Sequence, residues 1–182
     1  MYNFYYPYYP CTPMNKPSNM HNNYQMYQYP YWYNSATNFP SLPTPIIKLK
    51  DYGPHPFVIN IEEATKQNIN FRTALWTGNH LQLTLMSIRV GDDIGLEMHP
   101  DVDQFIRIEE GQGLVVMGDR KDCLDFQRRV CDDYAVFIPA GKWHNLINTG
   151  HTPLKIYSIY APPEHPHGTV HKTKKDAEGH HH

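Results

Sequence analysis

The sequence carries no large excess of charge, few cysteines and no long apolar run. Its 16 basic and 18 acidic side chains give a formal charge of −2, which argues against a nucleic-acid-binding protein with a basic stripe. No apolar run approaches the roughly 20 residues that cross a bilayer, and the first residues lack the features of a secretory signal. We therefore expect no contact with membranes. Three cysteines cannot form a complete set of internal pairs, which favours a reducing, cytoplasmic setting.

Residues 1–46 have almost no charge and no hydrophobic period. Lys16 is their one charged side chain, and they contain ten of the 14 tyrosines and eight prolines, with many Asn and Gln residues. Proline breaks helices and inner strands. A polar, aromatic composition is typical of disordered segments that self-associate. We therefore predict a disordered, low-complexity tail over 1–46 that can drive self-assembly.

From residue 71 onward, short alternating segments lie between turn residues. Segments of this length and spacing are typical of a β-sandwich or barrel, and no helical pattern separates them. The predicted strands are 71–77, 81–85, 103–109, 113–117, 125–130, 134–138, 143–148 and 154–160. The sequence thus predicts an all-β domain over 71–163, with a core that can start near residue 57.

Two further segments flank this domain. Residues 47–70 form an approach segment that contains a short peripheral helix, with Asn60 as its N-cap. Residues 164–182 are rich in His and Lys, and we expect this tail to lie on the surface or fray. His165 and His167 can face one way in an extended segment and bind a metal weakly, although a solvated tail is the simpler interpretation.

Two spaced motifs lie within the predicted strands. The first runs through Gly91, Glu97, His99, Gln104 and Gly111, and the second runs through Asp133, Pro139, Gly141, His144 and Asn148. They resemble the two motifs of the cupin superfamily. The first family motif is Gly, five residues, His-x-His, three or four residues, Glu, six residues, Gly. The second is Gly, five residues, Pro-x-Gly, two residues, His, three residues, Asn. The resemblance covers about residues 71–160 and implies a double-stranded β-helix, or jelly-roll barrel, with one metal ion in its pocket.

The resemblance implies that Glu97, His99, His144 and Gln104 hold this ion. Glu97 and His99 are two residues apart, so on an extended chain they face the same side. Two imidazoles and a carboxylate suit Fe, Mn or Zn as divalent ions, and the set resembles the two-His-one-carboxylate sites of non-haem iron. It can equally hold zinc with a water. Candidates for contact with these ligands are Met86, Trp143, Asn145, Tyr157 and Tyr160.

The sequence departs from the family motifs at three positions. Glu97 replaces the first histidine, Gln104 replaces the glutamate, and Asp133 replaces the leading glycine of the second motif. The first two changes together leave the total charge of the ligand set unchanged. An amide oxygen is neutral and a weaker metal ligand than a carboxylate. Gln104 is therefore either a fourth ligand or a hydrogen-bond partner of a metal-bound water.

Three functions are compatible with these features. The motifs look like a bacterial, single-domain cupin subgroup commonly labelled mannose-6-phosphate isomerase-like. This resemblance implies an isomerase or dioxygenase for a small polar, sugar-like molecule, with Glu97 as the candidate catalytic base. The tyrosine-rich tail resembles those of spore-coat proteins, which suggests a structural role and a spore-coat location instead. The third possible function is that of a sensor, which binds a small molecule or metal without turnover. By the same resemblance we expect a homodimer, with residues 47–57 as a candidate exchanged strand.

Overall fold

The structure is a computed structural model that describes residues 45–178. The predicted low-complexity tail lies almost entirely outside the described residues, and so does the C-terminal end beyond residue 178. The prediction of a disordered, self-associating segment therefore stays a prediction.

Short antiparallel strands dominate the described part of the chain. The helices are α1 (Ile61–Gln67) and α2 (Lys174–Glu178). The strands are β1 (Arg72–Thr77), β2 (Gln82–Ile88), β3 (Asp103–Glu110), β4 (Gln112–Gly118), β5 (Phe126–Cys131), β6 (Ala135–Ile138), β7 (Trp143–Asn148), β8 (Leu154–Ala161) and β9 (Val170–His171). They form a six-stranded sheet in the order β6-β3-β8-β2-β1-β9 and a three-stranded sheet in the order β5-β4-β7. The all-β prediction is confirmed.

The core lies between the two sheets and follows from the period of two along each strand. Met86 on β2, Ile106 on β3 and Ile156 on β8 face inward from the six-stranded sheet, and Val115 and Leu146 face them from the other. Each of these side chains is at most 2% exposed. Burial of a large aliphatic side chain contributes about 1.5–3 kcal/mol, so this shared cluster holds the sheets together.

The predicted peripheral helix is α1. The side chain of Asn60 accepts a hydrogen bond from the Glu63 N–H at 3.2 Å, which satisfies one of the free donors at the helix start. Ala64 on α1 packs with Leu75 and Leu85, which face away from the barrel interior. The helix therefore covers the outer face of the six-stranded sheet.

Two turn positions of the second motif have left-handed backbone conformations. Gly141 has a φ of 79°, and its N–H donates to the His99 carbonyl at 2.7 Å, which ties the two motif loops together. Asp133 has a φ of 70° at the position where the family has glycine. Aspartate tolerates this region better than most side chains, so the substitution keeps the turn.

The described part of the C-terminal segment is mostly exposed, yet it is anchored to the barrel. Strand β9 pairs with β1, with His171 opposite Arg72, and His171 is only 8% exposed. The side chain of Gln82 donates to the His165 carbonyl at 2.8 Å and accepts from its N–H at 2.9 Å. The carboxylate of Asp51 accepts from the Gly168 N–H at 2.9 Å. These hydrogen bonds hold the segment against the barrel.

His165 and His167, the two histidines proposed as a weak metal site, contact different parts of the chain. The ring of His165 lies edge-on to Tyr160 with centroids 5.0 Å apart, whereas Nε2 of His167 lies 3.1 Å from the Gly53 carbonyl oxygen. The structure does not bring them together as a metal site.

The approach segment lies against its own chain. The Tyr52 N–H donates to the Leu75 carbonyl at 2.8 Å. Strand exchange over 47–57 and the homodimer stay predictions. Within residues 45–178, neither helix has the length and apolar character needed to span a membrane.

Candidate metal centre

The two motifs meet where the loop before β3 runs beside β7. Glu97 and His99 lie on that loop, and His144 is the second residue of β7. Glu97 and His144 exchange two backbone hydrogen bonds, of 3.1 and 2.9 Å. Because main-chain atoms make these bonds, they fix the approach of the side chains independently of what the side chains bind.

Three side-chain atoms converge at this point. Oε1 of Glu97 lies 3.5 Å from Nε2 of His99 and 3.4 Å from Nε2 of His144. All three atoms are buried, and none has a hydrogen-bond partner within the described chain. The structure thus brings three of the predicted ligands together, and this metal group of Glu97, His99 and His144 can hold a metal ion.

Hydrogen bonds on the far side of each ring determine what the rings present to Glu97. Nδ1 of His144 lies 2.9 Å from the Lys142 carbonyl oxygen, and Nδ1 of His99 lies 3.2 Å from Oε1 of Glu164. Both oxygens are acceptors, so each Nδ1 carries the proton and each Nε2 presents a lone pair. Those two lone pairs face the acceptor oxygen of Glu97.

Acceptors that face one another in a buried site need a cation between them. Ligand atoms bound at about 2.0–2.1 Å and tetrahedral angles lie about 3.3–3.4 Å apart, close to the separations from Glu97 to the two imidazoles. The donor set of two imidazoles and one carboxylate therefore fits a divalent transition metal ion.

Glu97 and His99 each stabilise the charged form of the other. Burial by itself raises the pKa of Glu97, but the two imidazoles outweigh it and hold that pKa well below its usual range. Burial lowers the pKa of His99, whereas the carboxylates of Glu97 and Glu164 outweigh this effect and raise it. Without a metal ion, the group therefore attracts a proton to the place where the metal would lie.

This competition predicts that metal affinity falls with falling pH. Metal binding must displace the proton of His99, and because the pKa of His99 is raised, the loss begins above pH 6.5. Below the shifted pKa, we expect affinity to fall about tenfold per pH unit. Competition with a chelating dye between about pH 5.5 and 8.5 measures this. An affinity that stays constant below neutral pH would contradict the assignment of His99 as a ligand.

Gln104 lies on the inner face of β3, opposite Tyr160 on β8, and is 3% exposed. Its Nε2 donates to the Ser158 hydroxyl at 2.9 Å. Its Oε1 is buried and has no partner among residues 45–178. The hydrogen bond to Ser158 orients the amide, so that its oxygen can serve as a metal ligand. Its role as a fourth ligand stays a prediction.

Two of the five side chains predicted to contact the ligands lie on the inner face of the barrel. The Tyr160 ring lies edge-on to His99, with centroids 5.9 Å apart, and Tyr160 is fully buried. Met86 is also inward and belongs to the core cluster.

The structure does not bring the other three candidates to the group. Trp143 and Asn145 flank His144 on β7, so the alternation of the strand turns them to the opposite face. The Lys121 ammonium lies 5.4 Å from the centroid of the Trp143 ring. Tyr157 packs beside Phe105, with ring centroids 6.1 Å apart, on the outer face of the six-stranded sheet.

Glu164 is a site residue that the sequence analysis missed. It lies beyond the two motifs, in the segment expected to be an exposed tail, so nothing in the local sequence pointed to it. Its carboxylate accepts the Nδ1 proton of His99. A partner of this kind fixes the orientation of a metal-bound imidazole and raises its basicity.

Replacing Glu164 by alanine should therefore weaken metal binding about 10–100-fold. Glu164→Gln keeps a hydrogen-bond acceptor and should lose less affinity. Asp101→Ala, on an exposed position of the loop before β3, is the matched control and should bind like the wild type. Equal affinity of Glu164→Ala and wild type in a chelator competition would show that Glu164 does not orient His99.

Comparison with known proteins gives a family and several relatives. Residues 84–160 match the family described as cupin domain. The chain is 70% identical over 129 residues to the uncharacterized protein YrkC of Bacillus subtilis (strain 168). The aligned region covers 71% of this chain and 69% of that protein. It is 41% identical over 115 residues to the uncharacterized protein L612 of Acanthamoeba polyphaga mimivirus, with 63% of this chain and 70% of that protein covered. The crystal structure of BH2720 from Bacillus halodurans is similar with a TM-score of 0.71 at 68% identity, over 71% of this chain and 98% of that chain.

Proposed function

Because the chain belongs to the cupin family, we propose that it is an enzyme that holds one divalent transition metal ion and converts a small polar molecule inside its barrel. The observation that carries this proposal is the group of three buried ligand atoms on Glu97, His99 and His144, which have no hydrogen-bond partner among residues 45–178. A bound metal would supply a Lewis acid that polarises an oxygen atom of the substrate. Since one barrel hosts many chemistries, the reaction class has to be argued from the site.

The two carboxylates at the site favour an oxygenase over an isomerase. An isomerase needs a base that touches the substrate. Glu97, the candidate base from the sequence, faces both imidazoles, and Glu164 accepts from His99. Both are thus engaged in holding the metal group. The two-His-one-carboxylate set is the arrangement that non-haem Fe(II) oxygenases use. In a dioxygenase both atoms of O₂ enter the product, so no further reductant is needed.

Oxygen uptake tests this proposal. The Fe(II)-loaded protein would be mixed in air with a panel of small hydroxy and oxo compounds, and oxygen consumption and products would be measured. We expect one O₂ consumed per substrate converted, and no conversion by His99→Ala. Turnover that continues under nitrogen would identify the isomerase class instead. Metal and ligand binding without any product would identify a sensor.

The structural, spore-coat alternative depends on residues outside the described part of the chain. It remains a proposal that deletion of residues 1–46 would test through the particle size seen in light scattering. An unchanged particle size would remove it.

A further inference from the structure

Arg72 is a buried charge that the metal centre does not use. It is the first residue of β1 and is 3% exposed. Its guanidinium carbon lies 5.7 Å from the centroid of the Phe71 ring. Among residues 45–178, however, its Nε has no hydrogen-bond partner, and no carboxylate forms an ion pair with the guanidinium. A buried charge without an ion-pair partner is unfavourable. The burial of Arg72 is therefore explained if its guanidinium binds an anion that the protein does not itself supply.

The strand register places Arg72 on the inner face of the barrel. Across β1 and β2 it lies opposite Met86, and Met86 lies opposite Ile156 on β8. Directly opposed residues in antiparallel strands share a face. Met86 and Ile156 both belong to the core between the sheets. The side chain of Arg72 therefore starts from the same interior surface.

Small side chains, two of which carry a hydroxyl group, follow Arg72 on this surface in the direction of the metal group. The next row across the sheet contains Ala74, Thr84 and Ser158, which are opposed in register. The row after it contains Tyr160 and Gln104. The Thr84 hydroxyl is buried and has no partner in the described structure. The interior thus changes from aliphatic side chains to hydrogen-bonding groups on the way to the metal centre.

The charge of Arg72 acts on the residues around the metal group. Burial, and after it the positive charge of Arg72, lower the pKa of His165 to about 3. His165 packs against the Tyr160 ring, which in turn lies edge-on to His99. The guanidinium and the metal group therefore share one interior.

The net charge of this interior favours an anionic ligand. A divalent ion and Arg72 together exceed Glu97 and Glu164 by one unit of positive charge. The planar guanidinium offers paired N–H donors that match the two oxygens of a carboxylate or phosphoryl group. A neutral, sugar-like molecule would leave this charge uncompensated.

We propose that Arg72 binds the oxyanion group of a small substrate, a carboxylate or a phosphoryl group, while the substrate's other end faces Glu97, His99 and His144. This assignment rests on the proposed function, since it names the class of molecule that the metal-dependent enzyme accepts. It makes Arg72 the residue that selects anions over neutral molecules of the same size.

Binding of simple anions to the metal-loaded full chain tests the assignment. Propionate and inorganic phosphate are the probes, and propionamide is the neutral control. We expect at least one anion to bind saturably in calorimetry and to raise Tm, whereas propionamide does neither. A preference for propionate indicates a carboxylate ligand, and a preference for phosphate indicates a phosphoryl ligand. Absence of saturable binding by both anions would overturn the proposal.

Matched arginine variants locate the bound anion. Arg72→Gln should weaken anion binding at least tenfold, and Arg72→Lys should weaken it less because the charge remains without the paired donors. Arg107→Gln is the control, because Arg107 lies on the outer face of β3 and pairs with Asp133 at 2.6 Å. Anion affinity that is unchanged in Arg72→Gln would overturn the proposal.

Two further readouts separate this site from folding and from the metal centre. Without anion, Arg72→Gln should have a Tm equal to or above that of the wild type, because a buried charge that lacks an ion-pair partner within residues 45–178 is removed. A large fall in Tm would identify Arg72 as a structural residue and overturn its role as a ligand. Zn(II) in place of Fe(II) keeps the charge of the metal centre but does not support oxygen chemistry. Saturable anion binding by the zinc-loaded protein thus supports this site even where the enzymatic proposal fails.

Discussion

Replacing His144 by alanine is expected to abolish stoichiometric binding of a divalent metal ion while leaving the barrel folded. Loss of a partner that merely orients a metal-bound histidine weakens binding about 10–100-fold, so loss of the ligand itself should exceed about 100-fold. The ring is 1% exposed, and its removal leaves a small cavity. The hydrogen bonds between Glu97 and His144 are backbone bonds and remain. Chelator competition measures the affinity, and circular dichroism with a thermal melt monitors the fold.

His151→Ala is the matched control for this variant, because it removes an exposed histidine from the turn after β7. It should keep full metal content and affinity. If His144→Ala is folded and binds metal as tightly as His151→Ala does, then His144 is a structural core histidine and the assigned ligand set is wrong.

Replacing Asn148 by alanine is expected to destabilise the fold by about 3 kcal/mol, with little effect on metal stoichiometry. Asn148 is the last residue of the second motif and is 2% exposed. Its amide donates to the carbonyls of Ile88 and Thr152, and its oxygen accepts from the Gly150 N–H, each at 2.9 Å. A truncated side chain leaves these buried groups unsatisfied, at about 1–3 kcal/mol each before partial compensation by water.

Urea unfolding, monitored by tryptophan fluorescence, measures this loss. Asn79→Ala removes an exposed asparagine from the turn between β1 and β2 and should change stability by less than about 0.5 kcal/mol. An Asn148→Ala variant with wild-type stability and lost metal would instead place Asn148 in the metal group. The hydrogen bonds explain why this motif position requires asparagine: it joins the end of β7 to β2 and to the following turn.

Much of the fold could be predicted from local features of the sequence. The alternation of apolar and polar residues defined β1 to β8 within a few residues, and the Asn60 cap defined the start of α1. The two spaced motifs placed Glu97, His99 and His144 in one group. These features are local because strand period, capping and motif spacing depend on neighbouring residues.

The remaining site residues depend on long-range pairing. Glu164 reaches His99 because the C-terminal segment returns to pair β9 with β1, and no short pattern encodes that return. The burial of Arg72 has no signal in the local sequence, since a charged side chain at the start of a strand normally faces water. Trp143 and Asn145 adjoin His144 in sequence, but the period of two along β7 turns them to the opposite face.

The metal content of the purified protein tests the central claim most directly. Full-length wild type and His144→Ala would be purified side by side without added metal and without metal-affinity chromatography, and elemental analysis would be performed on both. Ions held by His180–His182 contribute equally to the two proteins, so the difference reports the barrel site. We predict a difference close to one divalent transition metal ion per chain. Equal metal content in both proteins, before and after incubation with Fe(II), Mn(II) or Zn(II), would contradict a metal centre at Glu97, His99 and His144.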